Sequence, residues 1–450
     1  MLLRALFFIL IANTLFAQQQ DSPVIKVDVR QVLVPVIVTD SKGHHVTGLK
    51  SSDFHIYEDG VAQEIAAFST DTSPAASALV AAAGTPPTEA AKSAPAAGSS
   101  PAPPGRTFVI CIDALNSAFA SSTRTRDALA RLFEKEKAGE THYVLLSIGR
   151  QLQVLQTSTS DPAALFARLR NPAVQSAMGG ADAAALRSEL DALKIRMFDF
   201  CRACDCNSSQ SCSTQAQDLK SSVDGQAEHW GSVREMFFAQ LKSVVEELAK
   251  LPGGHTLILV SDGFTLQPAR DFYSVIAPFL NKDQRFKMPG PIDLAPRLEA
   301  VIKVAVEHNI RIDSVDSGGL SQPALSGSGS MDASAPSDRS APTVSRRVPS
   351  SNRGGTLLTE MDRQASSMAI QSGSGMSALA QATGGVFFHD SNDLLKQFRS
   401  ALADGREYYL LAYAARNQVQ DGKFRRITVE VADKKLHVRA KSGYWAETAQ

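Results

Sequence analysis

Two unbroken apolar runs, each ending on an aspartate, constrain this chain most: Thr107-Phe-Val-Ile-Cys-Ile-Asp113 and Thr256-Leu-Ile-Leu-Val-Ser-Asp262. A strand wetted on one face alternates apolar and polar residues. Runs this solidly apolar suit strands buried on both faces, as in a parallel sheet covered by helices. Ligands of open α/β sheets bind beyond the carboxyl ends of the strands. Asp113 and Asp262, with Asn116, Ser117 and Gly263 just after them, are therefore the first candidates for a functional site.

The surrounding pattern supports that architecture. Residues 124–137 are amphipathic, and 142–148 with 152–155 suggest a hairpin. Helical spacing returns over 161–170, 182–200 and 230–250, where Leu241, Val244, Val245 and Leu248 share a face. Helix 294–309 leads into strand 310–315, order resumes at 376–382 and Gly384–Phe388, and helix 391–403 follows. Strands alternating with helices over 106–405 predict an α/β domain with a doubly wound, mostly parallel sheet. Antiparallel β segments flank it. Residues 24–70 alternate with period two between Gly/Asp turns, and three further strands fall within 406–446. Three strands are too few to stand alone, so the tail should either pair with the N-terminal module, which is preferred, or extend the α/β domain. Residues 71–105 are almost wholly Ala, Ser, Pro, Gly and Thr, a linker composition that cannot bury a core. Residues 321–356 form a second low-complexity stretch, expected to be a disordered loop within the α/β domain.

Compartment follows from the first residues and the cysteines. A basic head at Arg4, an apolar stretch over 5–16 and Ala17 before three glutamines describe a signal peptide over 1–17. That stretch is shorter than the roughly 20 residues of a membrane-spanning helix. The mature chain is expected to be exported, periplasmic or secreted, with no transmembrane segment; an uncleaved anchor is the alternative. Cys201, Cys204, Cys206 and Cys212 crowd into one polar insert (201–212). In an oxidising compartment they would make two local disulfides, with three pairings open. A four-cysteine zinc site competes, but the Cys-x-Cys tightness and lack of a separated second pair disfavour it. Cys111 is expected to be a small buried hydrophobe.

Lys+Arg and Asp+Glu number 46 each, so the net charge is zero and no basic field attracts nucleic acid. There is no Walker loop, His-Glu-x-x-His or Gly-x-Ser-x-Gly elbow. An aspartate-nucleophile phosphatase would need a second acid where Leu115 stands. The expectation is a protein that is not an enzyme. His44 and His45 fall in an apparent hairpin turn and are expected to be solvated, as are Arg124, Arg126 and Arg131 on a helix. Tyr408, Tyr409, Tyr413, Tyr444 and Trp445 suggest core and cross-strand packing.

Several short pieces, in order, carry a family resemblance. They are Val34-Pro-Val-Ile-Val-Thr-Asp40, Gly48-Leu49, Asp53-Phe54, Tyr57-Glu-Asp-Gly60, Asp113, Ser261-Asp-Gly263 and Ile312-Asp-Ser-Val-Asp316 with Gly319-Leu320. Ala380-Gln-Ala-Thr-Gly-Gly385, Tyr408–Tyr413, Gly422-Lys-Phe424, Val438-Arg-Ala440 and Gly443-Tyr444 complete the set. The chain resembles the von Willebrand factor A-like proteins of the VWFA-related Acidobacterial domain family over most of its mature length. That resemblance implies a von Willebrand factor A-like α/β fold and binding of another protein. It also implies a metal-ion-dependent adhesion site, with a first loop Asp-x-Ser-x-Ser, a distant Thr and a later Asp. Hard Mg²⁺ would take these oxygen ligands and leave a position for a partner's carboxylate. The match is partial: Asp113, Ser117 and Asp262 fill three positions, but Leu115 replaces the first serine. The Thr slot falls at Gly179-Gly-Ala181-Asp182, where Ala181 offers no oxygen. A degenerate site for Mg²⁺ at Asp113, Ser117 and Asp262 is one expectation, with Asn116 as a substitute amide oxygen. The plainer one has both aspartates bonding loop amides or capping helices. The resulting expectation is an exported, adhesion-like protein–protein interaction module, its partner-binding loops around Asn116, Ser117 and Gly263. An envelope hydrolase at the same loops, or an architectural envelope protein, are the alternatives.

Overall fold

Residues 31–70, 106–204, 212–251, 255–280, 292–320 and 373–448 are described by a computed structural model. The expected signal peptide (1–17), linker (71–105), low-complexity loop (321–356) and Cys206 lie outside them. Four strands open the described chain: β1 (Gln31–Thr39), β2 (Phe54–Glu58), β3 (Val61–Gln63) and β4 (Ile65–Thr70). The next six are β5 (Thr107–Asp113), β6 (His142–Ile148), β7 (Leu152–Thr159), β8 (His255–Ser261), β9 (Arg311–Asp316) and β10 (Phe387–Phe388). They form one sheet in the order β10-β9-β8-β5-β6-β7, parallel throughout except for the β6–β7 hairpin at one edge. The chain moves outward from β5 through β6 and β7, then returns to the other side of β5 as β8. The strand order therefore reverses between β5 and β8, where such sheets open a crevice at their carboxyl ends. The fold is the expected α/β class, with a mostly parallel central sheet and flanking antiparallel sheets.

The numbered helices are α1 (Phe119–Lys135), α2 (Pro162–Leu169), α3 (Pro172–Ala177), α4 (Ala181–Cys204), α5 (Ser213–Ala249), α6 (Pro268–Leu280), α7 (Ala295–Glu307) and α8 (Leu394–Arg406), and residues 373–383 are helical as well. They cover both faces of the sheet. Phe108, Ile110 and Ile112 of β5 pack with α1, α2, α3 and α8, whereas Val109 and Cys111 pack with α4 to α7. Asp161, Asn171 and Asp393 cap α2, α3 and α8 with their own side chains. Short α3 and two larger helical features escape the sequence pattern. Helix α5 starts seventeen residues before position 230, because its polar first half buries only Ala216, Leu219, Val223, Ala227 and Trp230. Helix α6 was not expected, and buries Phe272, Tyr273, Val275 and Ile276 against α5. A disulfide between Cys204 and Cys212 ties α4 to the start of α5, with Cα atoms 5.6 Å apart. Cys201 is also disulfide-bonded, so these three thiols are not zinc ligands, and Cys111 is free and buried. Among the described residues, no helix is long and apolar enough to cross a membrane.

The tail adds β11 (Tyr409–Ala414), β12 (Phe424–Val431), β13 (His437–Ala440) and β14 (Gly443–Trp445). These interleave with the N-terminal strands in two four-stranded sheets, β13-β1-β11-β4 and β14-β12-β2-β3. Val32, Val34, Val36 and Val38 of β1 face Phe54, Ile56, Ile427 and Val431 across the sandwich. The other face of β1 is also apolar, because Pro35 and Ile37 turn toward the amino ends of β5, β8 and β9. Pro35 sits in an inner strand, yet pairing with β13 begins only at Val36, so its missing N–H leaves that ladder intact. The tyrosines do more than pack. Tyr413 and Tyr444 donate to Glu58 Oε2 at 2.7 and 2.9 Å inside the sandwich, and Tyr409 donates to the Val46 carbonyl at 2.8 Å.

An ionic clasp joins the sandwich to the α/β domain. Asp404 of α8 accepts both guanidinium branches of Arg439, at 2.6 and 3.0 Å, and lies 2.7 Å from His45 Nε2. His45 is thus packed between the two layers, while only its neighbour His44 is exposed. The turn pattern shows polarity but not which imidazole meets a partner some 360 residues away. Burial opposes ionisation of Asp404, but the His45 and Arg439 hydrogen bonds outweigh it and hold the carboxyl down to about 2. A depressed acid stabilises the fold above its ordinary value of 3.8 and loses that contribution as pH falls through about 2. Asp404→Asn should therefore lower unfolding free energy near neutral pH by about 2 kcal/mol or more. Denaturant melts of both proteins should converge as pH falls to about 2 and below; a gap that persists there would assign the loss to packing.

Candidate functional site

The crevice between β5 and β8 is filled by hydrogen bonds among residues far apart in sequence. Asp113, fully buried, accepts from the backbone N–H groups of Leu115 and Asn116 at 3.1 and 3.0 Å through Oδ1. Its Oδ2 accepts from Asn116 Nδ2 at 2.7 Å and Ser261 Oγ at 2.6 Å. A carboxylate offers about four acceptor positions, so Asp113 is saturated. Parallel register explains the Ser261 contact, since β8 runs directly beside β5 and ends level with it.

Asp262 links three loops. Its Oδ2 accepts from Ala118 N–H at 2.9 Å, at the start of α1, and from Ser121 Oγ at 2.8 Å. Its Oδ1 accepts from Ser317 Oγ at 2.7 Å, beyond β9. Ala118 cannot cap α1 with its own side chain, so the carboxylate of a distant strand end takes that place and meets the positive end of the helix. Ser117, also buried, accepts a weak 3.3 Å bond from the Asp262 N–H. Arg124 lies over this network, its Nη2 donating to the carbonyls of Ser317 at 2.7 Å and Gly318 at 3.0 Å. It is not merely solvated helix surface, and Arg126 likewise bonds Gln175.

The loop after α3 closes the remaining side. Ser122 and Ser147 donate to the carbonyls of Met178 and Ala177 at 3.0 and 2.6 Å. Gly179 follows with φ +98°, and a Cβ there would lie 2.5 Å from Ala114. Only glycine allows this loop to seat directly on the end of β5. Ala181, at the position expected of a ligand threonine, begins α4 instead.

The residues do not fit a resident cation. Leu115 is buried in the apolar core, and a metal would have to displace donors already on Asp113 and Asp262. Among the described residues, no three His, Cys, Asp or Glu side chains are placed to share an ion. Asn116 gives its amide N–H to Asp113, and its Oδ1 is buried without a partner. Burial pushes Asp113 up to about 6, against the Ser261 and Asn116 hydrogen bonds and the Arg234 charge. Arg234 itself, buried on α5, is held below the usual guanidinium value by desolvation, against the pull of Asp271 and Asp113.

The structure thus brings Asp113, Asn116, Ser117, Asp262 and Gly263 together. Sequence reading missed Ser121, Ser261, Ser317, Arg124 and Arg234. Ser261 alone carried a signal, as a hydroxyl in an otherwise apolar strand. Comparison with known proteins adds little. No family model and no curated protein matches the chain. Among the solved structures that align with it are two with a TM-score of 0.28 each. One is an aerotolerance-related membrane protein from Bacteroides fragilis NCTC 9343 carrying multiple mutations to serine, 11% identical over 66% of this chain and 99% of that one. The other is the conserved hypothetical protein BatB from Bacteroides thetaiotaomicron, 12% identical over 67% and 98%. Similarity at that level carries no functional argument, and the fold rests on the strand order above.

Asp262→Ala should cost about 2–3 kcal/mol in denaturant unfolding and open the loops at 114–121 and 316–320 to proteolysis. A solvated ligand-type acid would change stability by less than about 0.5 kcal/mol. Asp113 behaves oppositely to Asp404. Its folded value of about 6 exceeds the ordinary 3.8, so its contribution is fullest below 3.8 and declines as pH rises through about 6. Asp113→Asn should flatten that decline in unfolding free energy, and an unchanged pH profile would remove Asp113 as its source.

Proposed function

We propose that the chain is an exported, non-enzymatic protein-interaction module whose partner docks on the carboxyl face of the six-stranded sheet without a metal ion. One observation carries this reading: the two acids of that face are engaged by the chain's own donors, so the loops are preorganised without a cation. Beside them, Phe119 at the start of α1 and Leu320 beyond β9 are each 59% exposed. Exposed large apolar side chains on rigid loops are suitable anchors for a protein partner. The resemblance to von Willebrand factor A-like proteins of the Acidobacterial family supports protein binding as the activity. A disulfide between Cys204 and Cys212 suits an oxidising compartment and so supports export.

The test is crosslinked capture from envelope extracts, with and without EDTA, using the wild type, Phe119→Ser and, as a control at another exposed apolar position, Val419→Ser. Support would be a protein recovered equally in EDTA, lost with Phe119→Ser and kept with Val419→Ser. Recovery that requires Mg²⁺, or that survives Phe119→Ser, would overturn the reading. Calorimetric titration with Mg²⁺ and Mn²⁺ should show no saturable heat at millimolar metal; saturable heat abolished by Asp113→Ala would restore a metal-dependent site.

A further inference from the structure

Helix α4 buries one side and leaves the other bare. Leu193, Met197 and Cys204 lie in the core, whereas Ile195 is 63% exposed and Phe198 50%. No other large apolar side chain among the described residues is as exposed as Ile195. A single apolar residue on a surface needs no explanation, but these two are neighbours one helical turn apart. Opposite charges bracket them. Asp191, Ile195, Phe198 and Arg202 follow one another at steps of four, three and four, the spacing that keeps residues on one seam of a helix. Asp191 and Arg202 are both exposed.

The stripe is its own complement. Laid antiparallel on a second copy, it brings Ile195 against Phe198 and Asp191 against Arg202, each twice, as a two-fold axis requires. Laid parallel, it would set Asp191 against Asp191 and Arg202 against Arg202. Within the chain Asp191 pairs with Lys194 at 2.9 Å on the same helix, and Arg202 has no ion-pair partner among the described residues. The Cys204–Cys212 disulfide fastens the last turn of α4 to the start of α5, so Arg202 sits on an anchored helix end.

From this exposed and charge-complementary stripe, we infer that α4 is a self-association surface. Two copies of the chain pair antiparallel through their α4 helices, with Ile195 and Phe198 of each copy at the centre and an Asp191–Arg202 pair at either end. The surface uses none of the carboxyl-face residues. A second copy fits better than an unrelated partner, because the sequence of the stripe itself supplies both the apolar and the ionic complement. The seam is short, so the dimer forms at micromolar rather than nanomolar concentration.

Sedimentation velocity of the full mature chain, from low micromolar to a few hundred micromolar, tests the inference. The expected result is a sedimentation coefficient that rises with concentration from monomer to dimer. Phe198→Glu puts a charge into the seam and should weaken association at least about tenfold. Asp191→Arg and Arg202→Glu should each weaken it several-fold, because the two-fold axis turns two attractive pairs into like-charge pairs at once. The double variant Asp191→Arg/Arg202→Glu restores opposite charges across the antiparallel seam and should return to within about twofold of wild type. All three positions are exposed, so thermal melts of the variants should match the wild type. A chain that stays monomeric at the highest concentration, a dimer indifferent to Phe198→Glu, or a double variant no tighter than the single ones would each overturn the inference.

Discussion

Strand β5 is the constraint on which the rest depends. Its alternate side chains feed two separate cores, Phe108, Ile110 and Ile112 on one face and Val109 and Cys111 on the other. A strand with no polar side can be stable only between two helical layers and two hydrogen-bonding neighbours. Burial on that scale, at roughly 25 cal/mol per Å² of apolar surface, leaves no competing register, because a one-residue slip would exchange the two faces. Register in turn sets Asp113 level with Ile148 of β6 and one residue beyond the last β8 pair. The carboxyl-end chemistry is therefore a consequence of how β5 is buried.

Two aspartates at that end could have been metal ligands, and the difference lies in their neighbours. Asp113 receives two backbone amides, one side-chain amide and one serine hydroxyl; Asp262 receives a helix-start amide and two hydroxyls. Neutral donors satisfy lone pairs without supplying a compensating charge, which is why Asp113 remains raised to about 6 while accepting four bonds. Asp404, with Arg439 and His45 as partners, is lowered to about 2 despite similar burial. Charge in the partner, rather than the number of bonds, separates the two. The first arrangement ties loops together over the sheet; the second ties the sandwich to the α/β domain.

The sandwich is itself built from both ends of the described chain, with β1 between β11 and β13 and β12 between β2 and β14. Contacts of such long range carry a large loop-closure cost, and the buried Tyr413–Glu58–Tyr444 bonds and the β1 valines help to offset it. The same closure presses Pro35 and Ile37 of β1 onto the amino ends of the parallel strands, where Arg106, Arg311 and Lys441 gather. Neither sheet nor α/β domain would make that joint alone.

Some of this was readable in the residues themselves. Solid apolar runs such as 107–113 and 256–261 are local signals of strands buried on both faces, and they placed Asp113 and Asp262 at strand ends together with the α/β class. Other features left almost no local trace. The first half of α5 is too polar to show its buried stripe, and α6 follows a loop without a clear helix start signal. Ser121 and Ser317 resemble any other surface serines until β5, β8 and β9 align and turn their hydroxyls onto Asp262. Likewise, nothing near His45 announces Asp404. The sequence by itself determined which strands must be buried and where their acids fall, because burial and periodicity are properties of neighbouring residues. Only the tertiary structure decided whether those acids face a cation or a set of hydroxyls, because that depends on groups from 55 to 148 residues away, brought together by packing.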